Sequence, residues 1–110
     1  MKLNKKLTKK LEANDFSITY EDDGCIYFSK YSPAGQDFGF SVGGDDLHEL
    51  AVSIYNYYES FDVCYETYLW LDEMGHGKNG APYDMKDLYE DMEACEQIIL
   101  ELYELIKEEL

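Results

Sequence analysis

Asp37-Phe38-Gly39 is the triplet with which protein kinases hold a catalytic metal, so chemistry is sought there first. Kinase catalysis also needs a glycine-rich loop, a strand lysine and a catalytic loop upstream of that triplet. The 36 residues before Asp37 have room for none of them. Gly75-His76-Gly77-Lys78-Asn79-Gly80 has a phosphate-friendly composition but lacks the order in which glycines lead into Gly-Lys-Ser/Thr. It reads as a flexible loop. His48 and His76 do not have the spacing of a zinc-binding helix.

The three cysteines, Cys25, Cys64 and Cys95, are odd in number and have no Cys-x-x-Cys spacing. All three fall at strand or apolar-face positions, which predicts free, buried, unreactive thiols in a reducing cytoplasm. Glu21-Asp22-Asp23 and Asp45-Asp46 lack the alternating ligands of a calcium loop and read as a turn and a helix cap. No pair of carboxylates is singled out for acid–base work. The expectation is a non-enzymatic chain with no catalytic residue, no metal and no cofactor.

Charge is the strongest signal. The chain has 110 residues, 24 of them acidic, against nine lysines and no arginine, for a net charge of −15. Five of the lysines lie in the first ten residues, which contain no acid. Residues 11–110 thus hold four lysines against 24 carboxylates, a net of −20. Phosphate backbones are bound through positive charge, and arginine is the usual bidentate reader of phosphate and guanine. Direct nucleic-acid binding is therefore not expected. The 45% hydrophobic and 15% aromatic content argues against disorder. No apolar run approaches the ~20 residues of a membrane span, and the basic N-terminus leads into no apolar signal segment.

These features must be carried by elements, and the chain divides cleanly into them. Leu3, Leu7 and Leu11 recur every fourth residue among lysines and predict an amphipathic helix over 2–13. Phe16, Ile18 and Tyr20 alternate with polar residues as in a half-buried strand. Glu21-Asp22-Asp23-Gly24 reads as a hairpin turn, followed by a second strand at 25–31. Phe38, Phe40 and Val42 give a third strand, so that Pro33, Ala34 and Gly35 turn the chain and Asp37 is expected to bond amides in that turn. Asp46 with Glu49 predicts a capping box for a helix bearing Leu47, Leu50, Ile54, Tyr57 and Phe61. Asp62 caps a shorter helix over 63–73 with Cys64, Tyr68 and Leu71 on one side, and 74–82 is a loop. Met85, Leu88, Met92, Cys95, Ile99, Leu102 and Ile106 form the seam of a long helix over 84–109. That seam suits either a coiled coil with a second copy or, preferably, a cover for the chain's own sheet and central helix.

The reading is a single α+β domain over 1–110: an N-terminal helix, a three-stranded antiparallel meander, then two to three helices ending in a long acidic one. The element order resembles that of double-stranded-RNA-binding domains. Where those carry phosphate-binding lysines, this chain has Asp45-Asp46-Leu47-His48-Glu49, so the resemblance implies no RNA binding.

The last helix carries ten carboxylates over ~39 Å, about one per 4 Å. Duplex DNA carries one per ~1.7 Å. Acids on the preceding helices raise the density where they share a face. The candidate partner-binding set is Glu59, Asp62, Glu66, Asp84, Asp87, Glu90, Asp91 and Glu93. The partner expected is a basic nucleic-acid-handling protein, whose channel such a face would fill with steered association. The alternative is a small structural or adaptor protein, homodimeric through the 85–106 seam, whose charge serves solubility.

Ser32-Pro33-Ala34-Gly35-Gln36-Asp37-Phe38-Gly39-Phe40 resembles a Ser-x-Ala-Gly-x-Asp-Phe-x-Phe segment of a family of small acidic proteins from phages and mobile elements of gut bacteria. In that family the segment precedes a Phe-Asp, a tryptophan-containing helix and a Gly-x-Pro before a final acidic helix. Phe61-Asp62, Trp70 and Gly80-Ala81-Pro82 stand in that order here, and the resemblance covers roughly 20–110. It brings no established activity. It implies a mobile-element setting and hence an inhibitor of host defence, of the anti-CRISPR or anti-restriction type.

Overall fold

The computed structural model describes all 110 residues. In chain order the elements are α1 (Lys5–Ala13), β1 (Ser17–Tyr20), β2 (Ile26–Tyr31), β3 (Asp37–Val42), α2 (Leu47–Ser60), α3 (Val63–Leu69) and α4 (Met85–Lys107). The fold is α+β, as the sequence predicts.

Asn4 starts α1 later than the leucine spacing implies, because its side chain accepts from the Leu7 N–H at 2.8 Å and so occupies the cap position. Leu3, Leu7 and Leu11 are all buried. Lys10 leaves the far end of α1 and reaches the C-terminus of α4. Its ammonium donates to the Leu105 carbonyl at 3.0 Å and to Glu108 at 2.9 Å, a cation placed at the negative end of a helix.

The strands form one antiparallel meander, β1-β2-β3. The register sets Ile18 opposite Phe28 and Phe28 opposite Phe40, so the apolar residues of all three strands share a face. On the other face Tyr27 lies across Gly39, where any added Cβ would collide with the tyrosine hydroxyl. The inner face continues into aromatic packing with the helices. Phe40 stacks on Tyr57 of α2 at 4.6 Å, and Phe38 meets Phe61 edge-on at 5.8 Å.

α4 is the hub of the helical layer and packs on α1, α2 and α3. Its seam lies inside the molecule: Leu88, Met92, Cys95, Ile99, Leu102 and Ile106 belong to one core of 19 buried residues shared with the sheet. Only Met85 of the expected seam is exposed. The seam is thus spent on the chain's own core and offers no face for a second copy. The core is a single apolar body.

Two local expectations are corrected. α3 ends at Leu69 rather than 73, because Trp70 closes it and the chain then doubles back. The Lys78 N–H donates to the Trp70 carbonyl at 2.9 Å, and Leu71 pairs with Gly77. The segment after it is a loop, but the flexibility expected of it is restrained. Asp72 accepts from the N–H groups of Met74 and His76, His76 stacks on Tyr83 at 4.1 Å, and the Gly77 N–H donates to the Tyr83 carbonyl at 2.9 Å. Those two backbone bonds hold the Asp72 carboxyl below the usual carboxylate range.

A candidate acidic docking face and the turn beneath it

The Ser32–Gln36 turn is built from its backbone outward. The Gly35 N–H donates to the Ser32 carbonyl at 2.9 Å, and the Ser32 N–H to the Gln36 carbonyl at 2.8 Å. Gly35 has φ of 89°, the left-handed conformation that an L side chain resists. The turn then closes on a carboxylate from the far end of the chain. Asp91 of α4 accepts from the Ser32 hydroxyl at 2.6 Å, from the Ala34 N–H at 3.0 Å and from the Gln36 amide at 2.5 Å. It is only 5% exposed. Its charge is met by three donors, which is what allows a carboxylate to sit inside a core.

Asp91 was expected on the partner-facing surface, and the structure withdraws it. Helical spacing alone gave it the same standing as its acidic neighbours. Its burial comes from a turn 59 residues away, which spacing does not reveal. Asp37 was expected to bond the turn. It is exposed at the start of β3, and Asp91 holds the turn instead.

The remaining members divide by exposure. Glu59, Asp62, Asp84, Asp87, Glu90 and Glu93 are exposed. Asp62 also caps α3, accepting from the Tyr65 N–H at 3.1 Å. Asp84 precedes α4 without a side-chain capping bond, and Asp87 lies in its first turn, where the helix dipole favours a carboxylate. Glu90 and Glu93 point outward, about one helical turn beyond. Glu66 is half-buried on the inner side of α3, where burial and then nearby Asp62 push its carboxyl up. The set therefore forms an outer arc at the joint of α2 and α3 and along the N-terminal half of α4, with Glu66 set back and Asp91 inside.

A half-open cavity of about 320 Å³ lies between the turn and the helices. Gly35 to Phe38, Trp70, Asn79-Gly80, Met92 and Cys95 line it. Parts of three motif segments, Gly35 to Phe38, Trp70 and Gly80, thus meet around one partly open space. Cys95 has its thiol pushed up to about 12, by burial first and then by Asp91 and Glu66. It is protonated at neutral pH and is no nucleophile. No group of three or more His, Cys, Asp or Glu side chains is arranged to hold a metal ion. No helix is long and apolar enough to cross a membrane.

Cys64 does not follow the expectation of a buried thiol. It is exposed, because it and Tyr68 border an open groove between α3 and α4, at whose floor Thr67 is buried. Alternation on so short a helix did not reveal which side was inward. A string of tyrosines and methionines over 65–89 was the available signal. The spacing puts only Tyr68 and Met85 on apolar faces, and Tyr65, Tyr68, Met74, Tyr83, Met85 and Tyr89 are all exposed.

No family model, curated protein or solved structure matches this chain.

Proposed function

We propose that this chain is a non-enzymatic acidic binding protein that lays its carboxylate arc on the basic channel of a nucleic-acid-handling protein and blocks substrate entry. The observation that carries this reading is the charge: −20 over residues 11–110, no arginine, and six of the eight chosen carboxylates exposed on neighbouring helices. Carboxylates three or four apart on a helix lie ~5–6 Å from one another, a spacing comparable with phosphates along a strand. A defence nuclease, such as a CRISPR effector or a restriction enzyme, presents the channel this face would fit. The resemblance of the Ser32–Phe40 segment to proteins of mobile elements supports that choice.

The rival reading, an adaptor dimeric through the 85–106 seam, has no free surface there, since the seam is buried in the chain's own core. The test is Glu59→Lys, Glu90→Lys and Glu93→Lys together. None of these three side chains caps a helix or lies in the core, and the triple variant moves the net charge from −15 to −9. Loss of partner binding, and loss of the wild type's binding as salt rises, is the expected result. Binding that is unchanged by either overturns the proposal.

A further inference from the structure

Cys64 and Tyr68 on α3, Leu71 just beyond it, and Met85 and Tyr89 on α4 line an open groove of about 450 Å³. Tyr68 is 70% exposed and Met85 55%. Five of the seven lining residues are apolar, and Lys86 is the one cation among them. Exposed tyrosine and methionine gathered in one concavity are the composition of interface cores rather than of ordinary surface.

Acid borders this apolar floor along α4. Glu93 and Glu96 follow Tyr89 by four and seven residues, which sets both carboxylates on the Tyr89 side of α4. Asp84 precedes Met85 at the head of α4, and Asp72 follows Leu71 in the chain. Complementarity then fixes the occupant's chemistry: apolar where it meets Tyr68 and Met85, positive where it meets the rim. A second copy would bring the same carboxylates, and −15 of net charge, against themselves.

We propose that this groove anchors the acidic face to its partner, and that its occupant is a basic amphipathic helix. The inference rests on the reading above and deepens it. The seven residues of α3 span ~10 Å, so the groove takes about two turns of a docked helix and about two apolar side chains from it. Recognition is then apolar insertion between two helices with lysine or arginine on either side, the helix-in-groove mode.

A displayed library of helical peptides tests this. The seam positions are apolar or scrambled, and the flanks are lysine, glutamine or glutamate. Enrichment of peptides with an apolar seam and lysine flanks is expected, with affinity at least tenfold weaker for the Tyr68→Ser, Met85→Ser protein. Both substituted side chains are mostly exposed, so the variant keeps its core. Equal binding of scrambled-seam peptides, or enriched peptides that ignore the double substitution, overturns the groove while leaving a purely electrostatic face intact. Enrichment of glutamine or glutamate flanks overturns the basic occupant and the acidic-docking reading together. Concentration-dependent dimerisation abolished by the double substitution assigns the groove to a second copy and overturns the proposal as well.

Discussion

The Ser32 hydroxyl donates a hydrogen bond to the Asp91 carboxylate at 2.6 Å, joining the β2–β3 turn to the long C-terminal helix. The Ala34 N–H and the Gln36 amide complete the same carboxylate's set. Asp91→Ala would leave the buried Ser32 hydroxyl and two part-buried donors without their acceptor, so a loss of about 2 kcal/mol is expected. Asp37→Ala, at an exposed position in the same motif, should change stability by less than about 0.5 kcal/mol. Denaturant midpoints of the two variants check this. Equal losses would mean that Asp37, not Asp91, holds the turn.

The cysteines should react in order of exposure. Cys64 is exposed, Cys25 is half-buried with its thiol raised by burial and by Asp23, and Cys95 is buried with its thiol pushed up to about 12. Alkylation of the native protein at neutral pH, read by peptide mass, should label Cys64 first, Cys25 more slowly and Cys95 only on unfolding. Early labelling of Cys95 would contradict the packing of α4.

Glu66 makes stability depend on pH. Burial, and secondarily Asp62, raise its carboxyl in the folded state. The folded protein therefore binds that proton more tightly than the unfolded chain does. Ionised Glu66 subtracts from stability above its folded value, and the penalty is removed as pH falls through the folded value to the ordinary glutamate range. Glu66→Gln should raise Tm by about 2 °C at neutral pH, with no gain below about pH 4. A gain that persists in acid would assign the effect to packing instead of charge.

Gly77 lets two backbone segments pass. A Cβ there would sit 1.9 Å from the Pro82 carbonyl oxygen, which has no flexible end to swing away. Gly77→Ala should cost about 2 kcal/mol and loosen the 71–83 loop. Faster amide exchange at Gly77 and Lys78 is the accompanying signature, because their N–H groups bond across that loop.

The architecture was legible because each element carries its own period. The Leu3-Leu7-Leu11 stripe, the Phe38-Phe40-Val42 alternation and the Asp46–Glu49 cap are local signals, and each matches the fold. Glu49 N–H does donate to Asp46 at 2.8 Å, while the Glu49 carboxylate reaches back to the Asp45 N–H. The site was legible only in part. Glu90 and Asp91 are neighbours in sequence, yet one faces solvent and the other is buried, since only Asp91 meets a turn brought in by the tertiary fold. Likewise Tyr68 and Met85 read as core residues by type. Their exposure follows from how α3 lies on α4, which no local period encodes.

The central claim is that the carboxylate arc competes with nucleic acid for a basic protein surface. The direct measurement is retention of nucleic-acid-handling proteins from a bacterial lysate on the immobilised wild-type chain and on the Glu59→Lys, Glu90→Lys, Glu93→Lys variant, followed by elution with duplex DNA. Proteins that the wild type holds at low salt, that the variant does not hold and that DNA releases are expected. Proteins held equally by both chains, or held by the wild type and not released by DNA, would contradict the claim.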